Sequence, residues 1–100
     1  MFRYQHLSLC RGFMTKLLVP PIQLRLGRAM HNDIVVDDSS VSSEHVLIEA
    51  QNDFVKVTDL SSTNGTYIND RKLRRGVATL WREGDHLVIG QFQYSIRQQG

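Results

Sequence analysis

An antiparallel β-sandwich is the fold this sequence predicts, and three observations carry the prediction. Short stretches alternate apolar and polar side chains with a period of two. Turn-forming residues separate these stretches at close intervals. Only VATLW, residues 77–81, could be read as so much as one turn of helix. Many brief strands punctuated in this way fit two packed sheets better than any layered α/β arrangement.

The elements follow in chain order. RYQHLSL, residues 3–9, sets Tyr4, His6 and Ser8 opposite Gln5, Leu7 and Leu9. After the Pro20-Pro21 break, IQLRLG (22–27) is a run of strand length, and His31-Asn32-Asp33 marks the next turn. HVLIEA (45–50) is a second apolar run. Gln51-Asn52-Asp53 then turns the chain into DFVKVTD, where Val55 and Val57 oppose Phe54, Lys56 and Thr58. Thr66-Tyr67-Ile68 resumes strand character, and Asn69-Asp70 makes a tight hairpin into Arg71-Lys72-Leu73. Glu83-Gly84-Asp85 precedes HLVIG, and FQYSI closes the series with Phe92, Tyr94 and Ile96 on one face.

One hundred residues, 41% of them hydrophobic, can build one core and no second one. The expectation is a single domain over residues 1–100, of a size that also serves as part of a longer protein. Twelve basic against ten acidic residues give a formal charge of +2, too small an excess to imply a nucleic-acid partner. No apolar run approaches the roughly 20 residues that span a bilayer, so membrane insertion is not expected. Cys10 is the only cysteine, which forbids an intramolecular disulfide and suits a reducing compartment. The opening MFRYQHLSLCRGFM lacks the apolar core of an export signal. A cytoplasmic protein, or a nuclear one in a eukaryote, is therefore expected.

In a sandwich the sheets pack and the loops at one end bind. Three polar clusters stand out in such loops. Arg28 follows Gly27 at the end of an apolar strand, and a guanidinium offers a planar fork of donors suited to phosphate or carboxylate. Ser39, Ser40, Ser42 and Ser43 precede the strand that begins at His45. Ser61, Ser62, Thr63 and Asn64 then offer hydroxyl and amide donors, and Gly65 lets the backbone turn. One arginine and two donor-rich loops, with no carboxylate at the positions that would line them, suit a dianion held by charge-assisted hydrogen bonds.

Chemistry is harder to find. Ser42 and His45 are three apart, but a turn running into a strand does not bring hydroxyl and imidazole together, and no orienting acid or G-x-S-x-G elbow completes the set. His45 reads instead as a residue that stiffens the loop through backbone hydrogen bonds. The four histidines and Cys10 show no metal-ligand spacing, and no glycine-rich nucleotide motif occurs, so neither a metal nor a cofactor is expected. The basic group Arg71, Lys72, Arg74 and Arg75 lacks the interleaved aromatics of a nucleic-acid platform; it could favour acidic flanks of a bound peptide, but reads first as a solvated hairpin edge.

These residues resemble the forkhead-associated (FHA) domain. Gly27-Arg28, Ser42-Ser43-Glu44-His45, Asn64-Gly65-Thr66, Gly84-Asp85 and Ile89-Gly90 match that family's motifs in order and spacing, most closely from Leu26 to Gly90. The resemblance implies a sandwich of about eleven strands that binds phosphothreonine in a partner protein, without catalysis, in kinase-linked signalling. By the same resemblance Arg28, Ser42, Ser43 and Thr63 reach the phosphate and Asn64 holds the peptide backbone. Ser40 falls where relatives read the peptide residue three after the phosphothreonine. Gly27, His45, Gly65 and Thr66 form the scaffold beneath. Ser43 stands where relatives often carry arginine or asparagine, which leaves open the alternative of a phosphate-independent structural adaptor.

Overall fold

The computed structural model describes residues 4–99. Eleven strands follow one another: β1 His6–Arg11, β2 Met14–Leu18, β3 Ile22–Gly27, β4 Ile34–Val35, β5 Val46–Ala50, β6 Val55–Asp59, β7 Thr66–Ile68, β8 Arg71–Lys72, β9 Thr79–Leu80, β10 Leu87–Ile89 and β11 Phe92–Gln99. They form a six-stranded sheet in the order β2-β1-β11-β10-β7-β8 and a five-stranded sheet in the order β4-β3-β5-β6-β9. No helix occurs among the described residues. The sandwich and its eleven strands are as the sequence and the family resemblance lead one to expect.

The period-two pattern is the reason the sheets face each other. Val46, Ile48 and Ala50 of β5 are fully buried while Leu47 and Glu49 between them are half-buried. On β6, Val55 and Val57 point the same way, and Ile48 pairs directly with Val57 in the antiparallel register. A one-residue slip of either strand would turn its apolar set outward, so burial fixes the register. Leu7, Leu26, Leu87, Ile89 and Trp81 complete a continuous core between the sheets. Full burial of each such side chain contributes about 1.5–3 kcal/mol.

Four details differ from the sequence reading. β2 exposes Met14, Thr15, Lys16 and Leu17 alike and so shows no alternation; pairing with β1 defines it as a strand. β1 departs from alternation in the other sense, because it lies between β2 and β11 and its short Ser8 and Cys10 side chains are buried along with Leu7 and Leu9. β4 is two residues long and runs parallel to β3, whereas the other paired strands among the described residues are antiparallel. VATLW is extended rather than helical: Thr79 pairs with Val57, and the Trp81 N–H donates to the Val55 carbonyl at 2.9 Å.

The connectivity brings four segments to one end of the sandwich. These are residues 28–33 after β3, 36–45 before β5, 60–65 between β6 and β7, and Gly90-Gln91 between β10 and β11. The hairpin turn Asn69-Asp70, with φ of 49° and 67°, lies at the other end of β7, as its mirror-image turn chemistry predicts.

Candidate functional site

The four segments are sewn together by hydrogen bonds that run across them. The Arg28 N–H donates to the Ser42 carbonyl at 2.8 Å, and the Ala29 N–H to the Ser43 carbonyl at 3.1 Å. Asn32 Nδ2 adds bonds to the carbonyls of Ala29 and Ser43, each at 2.7 Å. From the third segment, the Thr63 N–H donates to Ser42 Oγ at 2.9 Å and Asn64 Nδ2 to the Ser40 carbonyl at 3.0 Å. The Gln91 N–H reaches Ser40 Oγ at 3.2 Å. Arg28, Ser40, Ser42, Ser43, Thr63 and Asn64 are thus gathered on one rim. Gly27 permits the closeness: a methyl there would collide with the Ser43 carbonyl oxygen and stand 2.9 Å from Asn32 Nδ2.

Beneath the rim lie two buried polar supports. His45 is fully buried. Its Nδ1 accepts the Ser42 N–H at 3.0 Å, which leaves the proton on Nε2 to donate to the Gly65 carbonyl at 3.0 Å. The imidazole therefore joins two loops through their backbones and does not face the Ser42 hydroxyl, an arrangement unsuited to nucleophilic attack. The second support is Asp59, 1% exposed at the end of β6. It accepts from the Thr66 hydroxyl at 2.6 Å, from the Ser62 N–H at 3.1 Å, and from the Ser62 hydroxyl by a short bond. Burial pushes its carboxyl upward, but the bonds from Ser62 and Thr66 outweigh it and hold the group below the usual carboxylate range.

This corrects the reading of the 61–64 cluster as four outward donors. Ser62 is fully buried and its hydroxyl is committed to Asp59, while Ser61 turns the chain at φ 61°. Thr63 and Asn64, beyond the turn, are exposed. Gly65, at φ +83°, meets the left-handed requirement that follows.

The rim is not free of carboxylates, contrary to the sequence expectation. Asp38 lies beside Ser40, but both its oxygens are occupied. Oδ1 accepts from the Ser40 hydroxyl at 2.6 Å and the Ser40 N–H at 2.9 Å, and Oδ2 from Gln91 Nε2 at 2.8 Å. The Ser40 bonds, with that of Gln91, hold its carboxyl below the ordinary range. The Ser40 hydroxyl is committed in the same bonds and faces the β10–β11 segment.

Charge at the rim rests with Arg28. Its side chain is exposed, and among the described residues it has no hydrogen-bond or ion-pair partner. Glu44, the nearest acid in sequence to Ser42, is drawn aside by Arg25 at 3.2 Å and His31 at 3.6 Å. The Ser42 hydroxyl accepts from Thr63 and retains its own proton for donation. Ser43 and Thr63 are exposed. An unpaired guanidinium amid such donors is suited to an anion bearing several acceptor oxygens.

Asn32, Asp59, Asp38 and Gln91 escaped the sequence reading as parts of this site. Asn32 lies in His31-Asn32-Asp33, a tripeptide whose composition signals only a turn. The D-x-x-S-x-x-x-T spacing from Asp59 to Thr66 is the one signal that could have revealed a buried carboxylate with its donors.

Comparison with known proteins agrees with fold and motifs. The chain belongs to the FHA domain family, whose model matches residues 24–90. It is 32% identical over 74 residues to the transcriptional regulatory protein EmbR of Mycobacterium tuberculosis, covering 73% of this chain and 18% of EmbR. To the glycogen accumulation regulator GarA of the same organism it is 36% identical over 67 residues, covering 67% of this chain and 40% of GarA. The chain thus spans less than half the length of either relative. Among solved structures, the FHA domain of a Chlamydia trachomatis protein superposes with a TM-score of 0.87 at 22% identity, covering 95% of this chain and 99% of that one. EmbR in complex with a low-affinity phosphopeptide gives 0.83 at 26% identity, over 95% of this chain and 25% of that one.

Proposed function

We propose that this chain is a non-catalytic module that binds phosphothreonine-containing segments of partner proteins in kinase-linked signalling. The observation that carries the reading is the exposed, unpaired Arg28 on a rim stitched to Ser42, Thr63 and Asn64. A phosphothreonine brings about −1.5 to −2 charge and three acceptor oxygens. Arg28 supplies the compensating charge, and the hydroxyls of Ser42, Ser43 and Thr63 complete the donor set. Asn64, already fixed to the Ser40 carbonyl by one amide proton, presents its remaining polar atoms to the peptide backbone. Gly27, His45, Gly65 and Thr66 hold the loops at the required separation. Solution of EmbR with a phosphopeptide bound, at 26% identity, supports the same use of the fold here.

Each charge-assisted bond contributes roughly 1.5–3 kcal/mol net, so two or three suffice for a reversible complex. A buried methyl adds about 0.8 kcal/mol, and selection of threonine over serine requires that it also fix the rotamer of the phosphate. A degenerate phosphothreonine peptide library, screened beside phosphoserine and unphosphorylated libraries, tests the proposal. Retention of the phosphothreonine library alone is expected. Equal retention of the unphosphorylated library would instead favour a phosphate-independent adaptor.

A further inference from the structure

The flank of the sandwich formed by β8 and β9 carries an open groove of about 880 Å³. Both are the terminal strands of their sheets, so each has one edge with no strand beside it, and their residues Arg71, Lys72, Thr79 and Leu80 line the groove. Five cationic residues line it, Lys56, Arg71, Lys72, Arg74 and Arg82, against one carboxylate, Asp85. That carboxylate is committed: Oδ1 accepts from Asn69 Nδ2 at 2.8 Å and Oδ2 from the Arg82 N–H at 3.0 Å. Among the described residues no ion pair neutralises any of the five cations. Val77 and Leu80, about half exposed, add apolar surface to the same walls.

The groove joins the rim described above. The Lys72 side chain lies over Gly65, its Cε 2.8 Å from where a methyl on that glycine would sit. Arg75, next in the chain after Arg74, donates from Nη2 to the Ser62 carbonyl at 3.3 Å, directly before Thr63. Positive charge therefore runs from the Thr63–Gly65 turn along the flank to Arg82.

Resting on the phosphothreonine reading, we propose that this groove takes an acidic, extended segment of the partner protein that adjoins the phosphothreonine in the same chain. Unpaired strand edges offer backbone donors and acceptors to an extended chain, and the unneutralised cations favour its carboxylates. No aromatic ring lines the groove, which distinguishes it from a platform for stacking bases.

The test measures fluorescence anisotropy of a phosphothreonine peptide chosen for its core affinity. The same peptide carrying a short run of glutamates at one end or the other is measured beside it. One extension is expected to tighten binding about five-fold at low salt, with the gain fading at high salt, since the pairs are exposed. The double variant Arg74→Gln, Arg82→Gln is expected to lose that gain and to bind the core peptide as before. A gain that survives in the variant, or no gain from either extension, overturns the proposal. So does a single-stranded oligonucleotide that binds this flank more tightly than the acidic peptide. Should the core phosphopeptide itself fail to bind, the phosphothreonine reading falls. The groove is then judged by NMR with an unphosphorylated acidic peptide: amide shifts along residues 71–82 support it, and their absence overturns it.

Discussion

Arg25 and Arg28 lie three positions apart and serve different ends. Arg25 pairs with Glu44, whereas Arg28, one residue past the end of β3, keeps its guanidinium free at the loop rim. Ser42→Ala removes both a donor for the ligand and the acceptor of the Thr63 N–H, and about a ten-fold loss of phosphopeptide affinity is expected by titration calorimetry. Unchanged affinity would exclude Ser42 from the bound complex. His45→Ala acts elsewhere. It leaves the Ser42 N–H and the Gly65 carbonyl without partners in a buried site, at a cost of about 1–3 kcal/mol each. A fall of roughly 10 °C or more in Tm is expected. A large affinity loss at unchanged Tm would instead move His45 into the binding surface. Residue identity made Arg28 and His45 legible, because few side chains combine their donors and charge. It misled at Ser62, since a hydroxyl reads the same whether it faces solvent or a buried carboxylate.

The decisive element is the β6–β7 loop, where the Asp59 carboxylate draws Ser62 and Thr66 inward and so leaves Thr63 and Asn64 on the outside. Because the folded carboxyl titrates below its ordinary value of 3.8, its stabilisation is fully present above that pH. It is lost as the pH falls through the lower folded value. Thermal melts should therefore show no pH dependence from Asp59 between pH 7 and 5, where its stabilisation is constant, and a decline below about 3.8 that Asp59→Asn should flatten. The same substitution is expected to lower stability by about 1–3 kcal/mol at neutral pH, since an amide NH₂ would face the Ser62 N–H. An identical acid decline in the variant would assign it to other carboxylates. Alternation revealed β6 and β11 in the sequence and a short apolar run revealed β5, because each has one face on the core. β2 and β4 stayed hidden because they lie at sheet edges, where pairing rather than burial defines a strand.

At the scale of the whole molecule, two sheets hold four loops at one end and leave two open flanks of unlike character. The β8–β9 flank is basic, whereas the β2–β4 side exposes Met14, Leu17 and Val35. Motif order from Gly27-Arg28 to Ile89-Gly90 made the architecture readable, since those residues sit where loops meet the ends of strands. The flanks were readable only in part: the run Arg71–Arg75 is open to acidic peptide flanks, but it becomes a groove only when β9 is folded beside it. In the proposed complex Arg28 carries the charge that holds a phosphorylated partner on this scaffold. Titration calorimetry of a selected phosphothreonine peptide against Arg28→Ala, with melting curves taken in parallel, tests it most directly. A loss of about 100-fold or more in affinity at unchanged Tm is predicted; undiminished affinity in that variant would remove Arg28 from the phosphate site.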